Sequence, residues 1–158
     1  MFNQNTTLQE MKGKMIHKAT KTDSFSIAKL AVLMWENHTV DELAKEFEEI
    51  ISNDESAIFL LSCDNQDIGF ASCQLRHDYV EGTSGSPVGY LEGIFVKQEY
   101  RNQGLAKALL EQCETWAKEK GCSEFASDCE LENDVSLKFH LKMGFAEANR
   151  IICFTKSL

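Results

Sequence analysis

Arg101-Asn-Gln-Gly-Leu-Ala106 forms an R-x-x-G-x-A pattern at the point where an apolar strand passes through a short polar loop into an amphipathic helix. The first turn of a helix offers unpaired backbone N–H groups and a partial positive charge, which suits a pyrophosphate. The strand ahead of it, Val88–Val96, contains a single carboxylate, Glu92, followed by Gly93. Strand alternation sets Val88, Tyr90, Glu92, Ile94 and Val96 on one face. Glu92 is then either a functional carboxylate in an apolar stripe or an edge-strand charge facing water. A bulge supported by Gly93 would splay this strand from its parallel neighbour and open a slot between them.

Five more residues could carry chemistry, most with a plainer reading beside it. Asp128 ends a short strand, where open α/β sheets bind ligands, but a turn or capping role fits the residue type as well. His140 can deliver a proton near neutral pH, or it is a hydrogen-bonded packing residue of its helix. Asn133 reads on its own as a helix N-cap. Trp35 alone would be a core residue, whereas Tyr79, beside a polar loop, is placed for an exposed contact.

Positioning these residues requires an α/β (α+β) domain with elements in the order βααβββαβαβ. Met15–Thr20 reads as a first strand, and Asp23 or Ser24 caps a helix carrying Ile27, Leu30, Ala31 and Met34 at helical spacing. Thr39 precedes a second helix with Leu43, Phe47, Ile50 and Ile51 on one face. Ala57–Cys63 and Ile68–Arg76 form a hairpin about Asp64-Asn65-Gln66-Asp67. A Gly/Ser-rich loop over Val80–Pro87 leads to the strand that holds Glu92. The helix after Gly104 buries Leu105, Leu109, Cys113 and Trp116 and stops at Gly121. Glu124–Ser127 is a short strand parallel to Val88–Val96, because a helix between two strands needs a crossover. Asn133–Leu141 is a short helix, and Phe145–Thr155 supplies a last strand or hairpin.

The chain has 158 residues, 43% of them hydrophobic, enough for one packed core. Met1–Lys12 reads as a polar tail and 13–158 as the domain. The N-terminus has no apolar secretory segment, and no apolar run is long enough for a membrane span. Of the six cysteines, Cys63, Cys73, Cys113 and Cys153 lie in apolar segments, and none shows zinc spacing. Reduced core thiols in a cytoplasmic protein, without a metal, are the expectation. A net charge of −9 disfavours nucleic acid and anionic membranes and favours cationic small molecules, though solubility alone also accounts for it.

With this order, the chain resembles the GNAT acetyltransferases along nearly its whole length. The R-x-x-G-x-A loop corresponds to their acetyl-CoA pyrophosphate loop, and Asn133-x-x-Ser-x-x-x-His140-x-x-x-Gly144-Phe145 is a second match. Most of the superfamily has tyrosine at the position of His140. Tyr79-Val-Glu-Gly-Thr, Ser86-Pro-Val-Gly-Tyr-Leu-Glu-Gly-Ile-Phe-Val96, Glu124-Phe-Ala-Ser-Asp128, Trp35 and Gly144-Phe145-x-Glu147 are similar to one branch, the aminoglycoside 6'-N-acetyltransferases.

This resemblance implies a single domain with a mixed central sheet flanked by helices and splayed parallel strands at the acetyl-CoA site. It implies that the pantetheine arm bonds the backbone of Ile94, Phe95 and Val96. The pyrophosphate would rest on Arg101, Asn102, Gln103, Gly104, Leu105 and Ala106, with Asn133 as a further contact. Trp35, Tyr79, Glu92 and Asp128 would line the aminoglycoside pocket. Some relatives have an acidic contact where this chain has Asn149, which weakens that contact here. Glu92 would accept the amine proton, directly or through water, and His140 would stand near the departing CoA sulfur as acid. The family's habit is a homodimer with its final strands paired or exchanged. Rival readings are a GNAT enzyme for polyamines, other small amines or protein amines, and a catalytically silent acyl-CoA-binding regulator.

Overall fold

The computed structural model describes residues 13–158; the polar tail expected over Met1–Lys12 lies outside the described residues. A five-stranded sheet runs in the order β1 (Lys14–Lys18), β2 (Ser56–Cys63), β3 (Gln66–Arg76), β4 (Val88–Val96) and β5 (Phe125–Ser127). The first three pairings are antiparallel, and β4 with β5 is parallel, as the crossover requires. Asp64 and Asn65 make a two-residue hairpin turn between β2 and β3, with φ of 48° and 63°. Asn and Asp tolerate that left-handed backbone, and its twist matches that of the strands.

Helices cover both faces. On one side α1 (Ser24–Ala31) and α2 (Val40–Ser52) bury Ile27, Leu30, Leu43 and Phe47 against Ile58, Leu60 and Phe70. Thr39 opens α2 with a capping box: Thr39 Oγ1 accepts from Glu42 N–H at 3.3 Å, and Glu42 Oε2 accepts from Thr39 N–H at 3.0 Å. On the other side α3 (Leu105–Glu119) packs Leu105, Leu109, Cys113 and Trp116 against Phe59, Leu61, Ala71 and Leu91. Each buried leucine there contributes about 1.5–3 kcal/mol. α4 (Asp134–Lys142) lies on this second side, with Phe139 packed against the same cluster.

Several expectations need correction. α1 ends at Ala31, so Met34 and Trp35 lie in the following turns, with both N–H groups donating to the Ala31 carbonyl. β5 begins at Phe125. The expected strand within Phe145–Thr155 does not form, and no regular element follows α4. A strand needs a ladder partner, and the adjacent edge, β5, has only three residues. Cys153 is accordingly exposed, while Cys122, just past the end of α3, is the fourth buried thiol with Cys63, Cys73 and Cys113. All six cysteines are free.

The most consequential correction concerns alternation along β4. Ser72 pairs with Gly93 and Cys73 with Leu91, so Glu92 is the extra residue of a β-bulge. The bulge reverses parity. Tyr90 and Glu92 face the side of Gln74 and Arg76, whereas Ile94 and Val96 turn to the α3 side.

Candidate active site

The bulge lies where β4 and β5 separate. Their pairing covers only Gly89–Leu91 against Phe125–Ser127. Lys97 N–H donates to the Ile68 carbonyl at 2.8 Å, and antiparallel alternation then directs the Phe95 backbone at Phe70. Ile94 and Val96 therefore direct their backbone groups to the side from which β5 has departed. The Val96 carbonyl accepts from Arg101 Nε at 2.8 Å, which folds that side chain back onto the strand.

The loop at the end of β4 leads into α3 through Asn102 (φ 59°) and Gly104 (φ 76°). Gly104 is the N-cap of α3, and no protein atom would lie within 4 Å of a Cβ placed there. The N–H groups of Leu105, Ala106 and Lys107 have no intrahelical acceptor. Gln103 Oε1 accepts from Lys14 Nζ at 2.6 Å, tying the loop to β1. This combination of a parted strand pair, open backbone groups and a helix N-terminus suits a ligand with an amide-containing arm and a diphosphate.

Beside the fork stands a polar cluster. Glu92 Oε1 accepts from Gln74 Nε2 at 2.5 Å and from Arg76 NH2 at 2.9 Å and Nε at 3.3 Å. The Arg76 guanidinium carbon lies 3.3 Å from the centre of the Tyr90 ring. Burial, then the nearby Asp128 carboxylate, pushes the Tyr90 hydroxyl pKa up. Trp35 is half-buried on Phe47 and Phe70, and its ring edge would be 3.4 Å from a Cβ at Gly93. Trp35, Glu92 and Asp128 are thus brought to one region of the sheet.

Tyr79 is exposed on the β3–β4 loop, with its hydroxyl donating to Glu81 Oε2 at 2.8 Å. Glu124 clamps that loop: its Oε1 accepts from Gly85 N–H at 2.7 Å and from Ser84 N–H at 2.9 Å and Oγ at 3.1 Å. The Ser84 and Gly85 amides hold the Glu124 carboxyl below the usual glutamate range. Asn149 lies next to Ala148, which meets Gly82 of the same loop. Its Oδ1 accepts from Arg150 N–H at 2.8 Å. Glu147 makes a two-point ion pair with Arg150, at 2.6 and 3.1 Å.

His140 reaches the fork from α4. Its Nδ1 lies 2.7 Å from the Ser136 carbonyl, which can only accept, so Nδ1 carries a proton. Its Nε2 lies 2.9 Å from Ser127 Oγ, which in turn lies 3.2 Å from the Leu91 carbonyl. The rings of Phe139 and Phe145 hold the imidazole edge-on. Asn133 caps α4, its Oδ1 accepting from Ser136 N–H at 3.0 Å.

Arg76, Gln74, Tyr90 and Ser127 escaped the sequence reading as site residues. The i, i+2 spacing of Gln74 and Arg76 signals a shared face, but which residues they meet depends on register across the β3–β4 loop. The buried Cys113 thiol, pushed up first by the neighbouring Cys73 thiol and then by burial, is poorly suited to be a nucleophile. Among the described residues no group of three or more potential ligands could hold a metal.

Fold and site together define an acyl-CoA-dependent transferase. The profile of the Acetyltransferase (GNAT) family matches residues 25–145, and the chain belongs to that family. An aminoglycoside N(6')-acetyltransferase type 1 of Salmonella typhimurium strain LT2 is 43% identical over 78% of this chain and 85% of its own length. The enzyme of the same name from Stenotrophomonas maltophilia is 36% identical over 90% of this chain and 93% of its own. A solved structure of AAC(6')-Iy with the bisubstrate analogue CoA-S-monomethyl-acetylneamine superimposes with a TM-score of 0.87 at 39% identity, covering 92% and 99% of the two chains.

Proposed function

We propose that this protein transfers the acetyl group of acetyl-CoA to the 6'-amine of aminoglycoside antibiotics and so confers resistance. The observation that carries this reading is the meeting, at one fork, of an acetyl-CoA-type slot and loop with a Trp35/Glu92/Asp128 cluster suited to a polycationic sugar. The named relatives supply the substrate class.

Acetyl-CoA is a substrate here, and the chain fits it. Ile94 and Val96 offer backbone to the pantetheine amides, with Phe95 anchoring the strand to β3. Arg101, Asn102, Gln103, Gly104, Leu105 and Ala106 form the diphosphate loop, and Asn133 closes it from α4. Trp35, Tyr79, Glu92 and Asp128 hold the drug, with Asn149 at the margin.

The amine attacks only as the free base, because an ammonium has no lone pair. Glu92, directly or through water, takes the ammonium proton; the C–N bond forms as the C–S bond breaks, and the second nitrogen proton passes to water. A backbone N–H at the parted strand steadies the oxyanion. His140, linked to Ser127, returns a proton to the leaving sulfur. No step needs a covalent enzyme intermediate.

We place the protein in the cytoplasm, where free thiols persist and CoA thioesters are made. No helix among the described residues is long and apolar enough to cross a membrane. A homodimer is also proposed: Ile151, Ile152 and Phe154 are 65%, 79% and 91% exposed in the segment after α4. A second copy would cover them. Light scattering tests that assembly, and a thiol-release assay with a drug panel tests the activity.

A further inference from the structure

The arrangement around Glu92 contains more than a carboxylate for the substrate. As the bulge residue, Glu92 has no partner of its own on β3, so ladder geometry does not fix its side chain. Its direction is set by Gln74 and Arg76, and all three of their donors land on Oε1. Oε2 takes no hydrogen bond among the described residues. Arg76 is itself anchored, its guanidinium carbon lying 3.3 Å from the centre of the Tyr90 ring.

We propose that Arg76 is a positioning residue for acetyl transfer: it fixes Oε1 of Glu92 so that Oε2 is the oxygen presented to the substrate's primary amine. The inference rests on the reading of Glu92 as the amine-facing group. Arg76 does not touch the substrate; it acts through Glu92. Three features fit this role. A guanidinium that bonds a carboxylate and stacks on an aromatic ring is held at both ends. The pair joins β3 to β4 across the bulge, where backbone pairing lapses. And Tyr90, against which Arg76 lies, also feels the Asp128 carboxylate, so both carboxylates of the drug site stand near one aromatic ring. Lysine would keep the charge but lose the planar fork and the stack.

The test is a double-mutant cycle on the intact protein with kanamycin as the amine. Arg76→Met should lower kcat/KM for kanamycin about tenfold, the equivalent of one oriented charge-assisted bond. The acetyl-CoA KM should stay within about twofold, since that site lies across the fork. In a Glu92→Gln background the same substitution should change kcat/KM by less than about twofold, because the group it orients is gone. Arg76→Lys should behave like Arg76→Met, and it remains available if the methionine variant does not fold. Equal losses in both backgrounds would mean that Arg76 supports the fold and does not act through Glu92, which overturns the proposal. A lower kanamycin KM in Arg76→Met also overturns it, since Arg76 would then be a cation competing with the drug. Full activity in Arg76→Lys or Arg76→Met does the same. A parent protein that turns over no aminoglycoside defeats the functional reading; an active parent with unaffected Arg76 variants defeats only this inference.

Discussion

His140 Nε2 and Ser127 Oγ lie 2.9 Å apart, joining α4 to the last residue of β5 at the point where β4 and β5 part. With Nδ1 protonated toward the Ser136 carbonyl, the direction of the Nε2 bond reports the charge of the ring. A neutral ring accepts from the serine; a charged ring donates to it, and the serine then donates to the Leu91 carbonyl.

Removing either partner should therefore slow the same step. His140→Phe keeps the aromatic packing with Phe139 and Phe145 but removes the proton, and the saturated rate should fall by about 10²-fold, the low end for a general acid. Ser127→Ala should lower the saturated rate in the same direction with little change in drug KM. Steady-state kinetics on both variants checks this, and an unaffected His140→Phe enzyme would remove the acid from the account.

Gly104 is held at φ 76°, where a β-branched residue is strained, yet a side chain there meets no protein atom. Gly104→Val should cost about 1–2 kcal/mol of stability from backbone strain and still fold. Its acetyl-CoA KM should rise strongly, because the added methyls occupy the space the diphosphate needs. A folded Gly104→Val protein with parental acetyl-CoA affinity would contradict the loop assignment.

Asp128→Asn preserves the size of the side chain while removing its charge. Aminoglycoside kcat/KM should drop about tenfold or more, since a bond to a charged group contributes about 1.5–3 kcal/mol. Acetyl-CoA affinity should change little. Equal losses for both substrates would point instead to damage at the end of β5.

The Glu124 clamp gives a pH signature. Its folded carboxyl is held low by the Ser84 and Gly85 amides, so its contribution is present above the ordinary glutamate range and lost as pH falls through the folded value. Glu124→Gln should have a lower melting temperature than the parent at neutral pH, and the difference should shrink on acidification. A constant difference across that range would assign the clamp to packing alone.

Much of the fold was legible because its signals are local. Thr39, the Asp64-Asn65-Gln66-Asp67 hairpin signal and the apolar stripe of α3 each announce an element through neighbouring residues. The parallel pairing of β4 and β5 followed from the crossover alone. What escaped depended on distant register. The bulge at Glu92 inverts the faces of Ile94 and Val96, and only the pairing with β3 reveals which residue is extra. Arg76 and Ser127 are ordinary residue types whose roles arise from contacts 16 and 13 positions away in sequence. Phe145–Thr155 looked like a last strand or hairpin, but strand propensity without an edge to pair against does not make one.

The central claim is tested most directly by incubating the purified protein with acetyl-CoA and, separately, a kanamycin-type drug, spermidine and a lysine-containing peptide, then locating any new acetyl group by NMR. The expected result is thiol release with the aminoglycoside, matched one for one by a single acetyl group on its 6'-nitrogen. Turnover confined to spermidine or the peptide, acetylation at another drug nitrogen, or no turnover with any amine would contradict it.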